Sequence, residues 1–365
     1  MHHFIYSTKD SWISSGSNHT TGVTETDQNY GQDPIIEIKK NFWDLSFDYP
    51  TRALVQFNLT DLSASIVAGD ITNPKYYLRL YEANGNQELS TEYKLSAFPV
   101  SESWDEGTGK FGMNPKITDG VSWDNKDNKP NATANAWATS GGSIVTGSGN
   151  ENSQSFSYES PDIEMDVTDI VDNWLNGTNK NYGFQLRFSG SQETNSTTFG
   201  QLKFFSSQTH TVYPPKLEVR WDDHLPCTGS NTGSLTQLTM SGGEDNYLYM
   251  KRFRERYKET EKIKFRVGAR KRYIQKSFST SVQTVTGSFI SEDSGSYSII
   301  DVATGESVIP FSDYTKLSCD STSNYFIQWL NGFAPDRVYK ILLKLKTDDS
   351  QEQIFDDGFE FIITR

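Results

Sequence analysis

The strongest constraint on this chain is a two-residue rhythm. In Ala53-Leu54-Val55-Gln56-Phe57-Asn58-Leu59 the apolar residues Ala53, Val55, Phe57 and Leu59 share one face, and Tyr182–Phe188 alternates in the same way. Further on, Ile263, Phe265 and Val267 alternate with Lys262, Lys264 and Arg266, and Tyr325-Ile327-Trp329 and Tyr339-Ile341-Leu343-Leu345 repeat the rhythm. Successive side chains of a strand point to opposite faces, so each run predicts a strand. Helical spacing is confined to one short turn, with Thr168 as its expected cap and Ile170, Val171 and Trp174 on one face. The chain is therefore read as all-β.

Its 365 residues exceed a usual single domain, and 18 Tyr, 22 Phe and 8 Trp are far more aromatics than a disordered chain carries. Two β-sandwich domains are expected. Leu217-Glu218-Val219-Arg220-Trp221 closes the first, over residues 1–222. Residues 223–247 are poor in apolar side chains and read as a linker, and a second domain fills 248–365. Within that domain Asp356-Asp357-Gly358 predicts a hairpin turn. Residues 105–160, rich in Gly, Asn, Asp and Ser, read as a long loop insertion.

Met1–Asp10 lacks a basic segment followed by an apolar one, and no 18 uncharged apolar residues run together, so neither the usual secretion signal nor a membrane span is expected. Two cysteines, Cys227 and Cys319, are too few for a disulfide framework or a Cys-rich zinc site and fit synthesis in a reducing cytoplasm.

An ordered set of short motifs runs through the first domain: Asp10-Ser11-Trp12-Ile13, Asn29-Tyr30-Gly31, Arg52-Ala53-Leu54-Val55-Gln56-Phe57, Trp104-Asp105-Glu106-Gly107-Thr108-Gly109, Asp166-Val167-Thr168 with Trp174, Asn181-Tyr182-Gly183-Phe184, and Pro214-Pro215-Lys216-Leu217-Glu218-Val219. In this order they resemble the DNRLRE family of jelly-roll-like β-sandwich modules, which includes carbohydrate-binding members. The resemblance covers nearly all of residues 7–221 and implies a surface polysaccharide as a ligand. In the second domain, Phe333-Ala334-Pro335-Asp336-Arg337-Val338-Tyr339 is similar to the tyrosine corner of fibronectin type III and immunoglobulin-like sandwiches, which makes Tyr339 the expected corner residue. The general run of that domain resembles carboxy-terminal domains of virion proteins of large tailed phages.

Chemistry-bearing residues are sparse. The five histidines, at 2, 3, 19, 210 and 224, are scattered, and no metalloprotease, nucleophile-elbow or phosphate-loop motif occurs. Asp105-Glu106 and Asp356-Asp357 are adjacent acids of the kind that turns expose to solvent, so no catalytic residue and no enzyme are expected. No cofactor is required. Asp124 and Asp127 offer oxygen ligands for calcium, without the spacing of a calcium loop. Trp104, Trp123 and Trp137 lie in or beside the long loops, where an exposed indole would stack on a sugar or anchor a partner. Burial in the core is the stronger expectation for at least Trp104.

Charge is the last signal. Lys251–Lys276 holds 12 Lys and Arg against three Glu, a local +9 in a chain of net −13, so the remainder carries −22. Lys251, Arg252, Arg254, Arg256, Lys262, Lys264, Arg266, Arg270, Lys271 and Arg272 are read as one basic face that docks on an acidic partner, in preference to nucleic acid. The expectation is a structural protein of a tailed-phage virion, made in the host cytoplasm, assembling as a symmetric homo-oligomer with other virion proteins. Its alternative is a carbohydrate-binding adhesion module on a host surface glycan.

Overall fold

The computed structural model describes the chain apart from residues 17–23, 44–45, 85–91, 130–132, 158–161, 241–245, 274–277, 279, 283–286 and 348–349, which leaves His19 outside the described residues. The chain is all-β and divides into two compact units. One comprises Ile5–Asp70 and Lys75–Val219, the other Met1–Phe4, Ile71–Pro74 and Arg220–Arg365. Among the described residues no helix is long and apolar enough to cross a membrane.

The first unit is built on an eight-stranded sheet in the order Asn152–Ser157, Glu92–Pro99, Phe184–Phe188, Thr51–Phe57, His2–Ser14, Lys216–Arg220, Lys75–Leu80 and Ile163–Asp166. A four-stranded sheet of Ser46–Asp48, Ile35–Trp43, Gly200–Phe205 and Glu82–Asn84 completes it. Sequence neighbours are seldom sheet neighbours, and the opening strand lies beside the closing one. The alternation seen in the sequence buries Ala53, Val55 and Phe57 together with Phe184, Leu186 and Phe188, and in the smaller sheet Ile36, Ile38, Leu202 and Phe204.

Two local expectations change. Helix Thr168–Leu175 buries Ile170, Val171 and Trp174, but Thr168 is not its cap: the Thr168 hydroxyl accepts the Tyr76 amide at 3.1 Å, and the Asp166 carboxylate takes the Thr168 amide at 2.9 Å. A second helix, Thr60–Val67, carried no apolar stripe to announce it, and only Leu62 on it is buried.

The second unit is a sandwich of a six-stranded and a five-stranded sheet. The first contains Thr236–Gln237, Asn246–Lys251, Lys262–Lys271, Ser288–Phe289, Ser318–Asp320 and Ser323–Trp329. The second orders Arg256–Lys258, Glu352–Thr364, Val338–Lys346, Gly295–Asp301 and Ser307–Ile309. Phe265, Val267 and Leu248 of one sheet and Tyr297, Ile341, Leu343 and Phe361 of the other form one core. Phe326 anchors it, stacked on Tyr297 at 3.8 Å and on Phe265 at 5.1 Å. The Tyr339 hydroxyl accepts the Ala334 amide at 3.0 Å and donates to the Ala334 carbonyl at 3.2 Å.

Of the expected linker, 223–247, residues 223–240 are built into this unit. Leu238 and Met240 enter its core, and Thr236–Gln237 pairs in parallel with Ser288–Phe289. A few well-placed apolar residues in a polar stretch suffice for that. The expected hairpin at Asp356-Asp357-Gly358 is also absent, because Glu352–Thr364 runs as one strand along Val338–Lys346. Ile341 and Leu343 are two residues apart while their partners Phe359 and Phe355 are four apart, so the excess bulges out with Gly358 at φ +72°.

Candidate functional site

Two motifs of the first unit, Asn29-Tyr30-Gly31 and Trp104–Gly109, meet at one buried side chain. Asn29 is fully buried. Its amide nitrogen donates to the Glu106 and Val121 carbonyls at 2.7 and 2.8 Å, and its oxygen accepts the Gly31 and Gly109 amides at 3.1 and 2.7 Å. All four hydrogen-bonding positions of a buried amide are thereby filled. At Gly107, φ is +81° and a Cβ would sit 2.5 Å from the Asn29 side chain, so the segment after Trp104 tolerates only glycine there.

That knot folds the long insertion onto the eight-stranded sheet. Trp104, Trp137 and Val121 join Ile13, Leu54 and Val100 in a core cluster, with Trp123 and Tyr182 against it. Trp104 is 3% exposed and Trp137 5%; their indole N–H groups donate to the Tyr182 and Ser122 carbonyls at 2.8 and 2.9 Å. These two tryptophans are thus core residues and offer no ring to a ligand. Trp123 is half-buried, with the Arg52 guanidinium 4.6 Å from its ring centroid. Glu102 pins the same segment. Burial would raise its carboxyl, but hydrogen bonds from Lys126, Ser143 and the Ala138 amide hold it at about 2.

Arg52 explains why an arginine leads its strand. It holds Glu193 through both carboxylate oxygens, at 2.8 and 2.9 Å, and donates to the Gly141 carbonyl at 2.6 Å. Arg187 stands 3.6 Å from the same carboxylate and 4.7 Å from the Phe98 ring. The network fastens helix Ser191–Thr194 and the insertion to the sheet.

Open space lies at the other end of the same strand. A cleft of about 680 Å³ is lined by Thr8, Gln56, Asn58, Thr60, Ser63, Asn181, Phe57, Leu59, Trp174 and Leu175. Its frame is set by side chains bonded to backbone: the Gln56 carboxamide donates to the Asn181 carbonyl at 2.9 Å, the Asn181 carboxamide to the Phe57 carbonyl at 2.9 Å, and the Thr8 hydroxyl to the Gln56 carbonyl at 3.1 Å. Asn58 takes both the amide and the hydroxyl of Thr60, at 3.0 and 2.7 Å. The indole nitrogen of Trp174 is buried and has no hydrogen-bond partner. Among the described residues lining the cleft none is charged.

Asp10, buried, and Glu106, half-buried, form a separate pair of acids. Burial pushes Asp10 up to about 6 and Glu106 up to about 7. The Asp10 amide donates to Glu106 at 3.0 Å, and Lys9 stands beside them, over the Trp104 ring at 4.4 Å. Asp127 sits with Lys129 at 3.4 Å. Among the described residues no three Asp, Glu, His or Cys side chains gather as a metal site.

The basic run is split between the two sheets of the second unit. Lys262, Lys264, Arg266 and Arg270 alternate along one strand, and Lys251 stands opposite Arg266 on the next. Lys271 ends that strand opposite Asn246, and Arg272 is exposed just beyond it. Arg252 turns the chain at φ +55°, Arg254 pairs with Glu261, and Arg256 opens a strand of the other sheet. Ten residues read as one face are therefore five on a sheet face and five around its edges. Cys227 and Cys319, distant in sequence, share a small buried cluster with Phe289.

The cleft was not foreseen, because amides and hydroxyls at a strand end read as ordinary turn chemistry; the resembling motif Asn181-Tyr182-Gly183 was its one signal. No curated protein matches this sequence. The model of carbohydrate-binding module family 96 matches residues 3–220, more than half of the chain and nearly all of the first unit, and the chain belongs to that family.

Proposed function

We propose that the first unit binds an uncharged carbohydrate in the cleft bounded by Gln56, Ser63, Trp174 and Asn181. The observation that carries this reading is the lining itself. A sugar hydroxyl both donates and accepts, and carboxamides and hydroxyls answer both needs. Half-buried Leu175 adds apolar surface that a pyranose C–H face can cover. The volume falls within the roughly 300–1,000 Å³ of ligand clefts. With no cation in the lining, an acidic sugar would lose its hydration for no counter-charge, so neutral glycans are favoured.

Carbohydrate-binding modules of this kind are non-catalytic, which supports reading the chain as a binder without enzymatic activity. A station on a tailed-phage virion, where glycan contact would serve attachment, draws its support from the sequence of the second unit alone.

A glycan array with the full chain tests the proposal. Saturable binding to neutral oligosaccharides is expected, with at least a tenfold loss in Ser63→Trp, which fills the cleft. Wild-type binding confined to acidic glycans, or neutral binding untouched by Ser63→Trp, would overturn it.

A further inference from the structure

Cys227 and Cys319 are the two cysteines of the chain, and the second unit brings both into one buried cluster with Phe289. Both are free thiols, 5% and 1% exposed. A small apolar side chain would fill such a space as well, so packing alone asks for no sulfur. The surroundings single the pair out. Cys319 lies directly opposite Asn324 where Ser318–Asp320 pairs with Ser323–Trp329, and the Asn324 carboxamide reaches Cys227 Sγ at 3.4 Å. That carboxamide is itself fixed, donating to the Ile290 carbonyl at 3.2 Å and accepting the Ile290 amide at 2.7 Å. The two thiols are hydrogen-bonded to each other.

The segment that carries Cys227 is fastened lightly. Its backbone runs beside Ser318–Asp320: the Leu225 amide donates to the Ser318 hydroxyl at 3.1 Å, and the Leu225 carbonyl accepts the Cys319 amide at 3.3 Å. The Glu292 carboxylate takes the Cys227 amide at 2.5 Å and meets the His224 ring at 2.6 Å. Leu225, Pro226, Thr228, Gly229 and Ser230 are exposed, and between Asp222 and Asn231 Cys227 alone is buried. Two sulfurs in hydrogen-bond contact need a small shift to reach the roughly 2 Å of a covalent bond. A segment with a single buried anchor can make that shift.

We propose that Cys227 and Cys319 form a disulfide by exchange with a small-molecule disulfide, fastening residues 224–232 to strand Ser318–Asp320 in an oxidising medium. The hydrogen bond from Cys227 holds the Cys319 thiol below its usual range, so the Cys319 thiolate attacks first. The S–S bond of the oxidant breaks, one small thiol leaves, and a mixed disulfide stands on Cys319. The Cys227 sulfur then attacks that cysteine's sulfur, and the second small thiol leaves. Two electrons and two protons pass from the protein thiols to the oxidant, which ends as two thiols. Because both sulfurs are buried, exchange proceeds as the segment opens or as the chain folds. The bridge joins residues far apart in sequence, the case in which a cross-link restrains the unfolded chain most.

The test equilibrates the full chain at pH 8 with graded mixtures of reduced and oxidised glutathione, once after refolding from urea and once in concentrated urea. Acid quenching, alkylation and mass spectrometry then count bridged, free and glutathione-bearing chains. The folded chain is expected to form the bridge within one chain, with an effective thiol concentration at least about thirtyfold above that in urea, the ratio that a typical stabilising disulfide implies. Where refolding is incomplete, native chain held in the same mixtures until its composition is constant gives the ratio. Hydrogen exchange of residues 224–232 is expected to be slower in the bridged chain than in the reduced one. An effective concentration in the folded chain no higher than in urea, glutathione adducts in place of the bridge, bridges between chains, or exchange at 224–232 unchanged by bridging would overturn the proposal.

Discussion

At the scale of single residues, the buried polar side chains define this molecule. Asn29 and Arg52 are saturated with partners and organise loops; Asp10 is fully buried and one of its oxygens has none. In the folded chain Asp10 keeps its proton up to about pH 6, whereas an unfolded aspartate gives it up near 4. Between those values the folded state binds the extra proton, so this residue's contribution to stability is full below about pH 4 and is lost as pH rises through 6. The shift corresponds to on the order of 3 kcal/mol. Glu106, raised to about 7 by the same burial, acts in the same direction, and Lys9 beside both opposes it. Urea unfolding of wild type and Asp10→Asn at pH 5 and pH 8 checks this. The wild type should lose more stability across the interval than the variant does; equal losses would remove Asp10 from the account.

None of this was legible from residue types. Asp10, Asn29 and Glu106 are common surface residues, and their burial follows from chain crossings that no local pattern encodes. Burial was the stronger expectation for Trp104, and Trp137 shares it. Trp104, Trp123 and Trp137 sit among loop residues, yet the loop is itself a lid of core, because Asn29 and Arg52 tether it to the sheet. Arg52, by contrast, was legible as a motif residue, and the structure supplies its reason.

At the scale of elements, alternation carried most of the information. Strands Thr51–Phe57, Phe184–Phe188 and Lys262–Lys271 lie where the two-residue rhythm put them, since a face packed on a core must repeat every second residue. Turn signals were weaker guides. Asp-Gly favours a hairpin only when nothing pairs across it, and here Val338–Lys346 pairs with both flanks, converting the turn to a bulge. The tyrosine corner is local enough to be read directly. Tyr339→Phe leaves the Ala334 amide and carbonyl without their partner and should lower the unfolding free energy by about 1–2 kcal/mol in urea titration. A change under a few tenths would mean that water replaces the hydroxyl at no loss.

The cysteines show what elements bring together and sequence separates. Hydrogen bonding with Cys319, together with burial, pushes the Cys227 thiol far above its usual range. Alkylation of Cys227 by iodoacetamide in the native chain at pH 8 is accordingly expected to be far slower than in urea, and equal rates would contradict its burial.

At the scale of the whole molecule, net charge pointed toward assembly, while the family match and the cleft point toward sugar. The difference arises because a formal charge sum ignores partners. Arg52, Arg79, Lys126 and Arg337 are each committed to an acid within their own unit, and Arg266 and Lys264 share Asp320. The cleft of the first unit, by contrast, has no charged residue in its described lining.

Neutral carbohydrate is proposed to bind in the cleft beside Trp174. Hydrogen–deuterium exchange of the full chain, with and without a saturating neutral oligosaccharide selected on the array, reads this directly. Slowed exchange confined to the backbone around residues 56–63 and 174–182 is predicted. Protection centred elsewhere in the first unit, with these two segments unchanged, would contradict it.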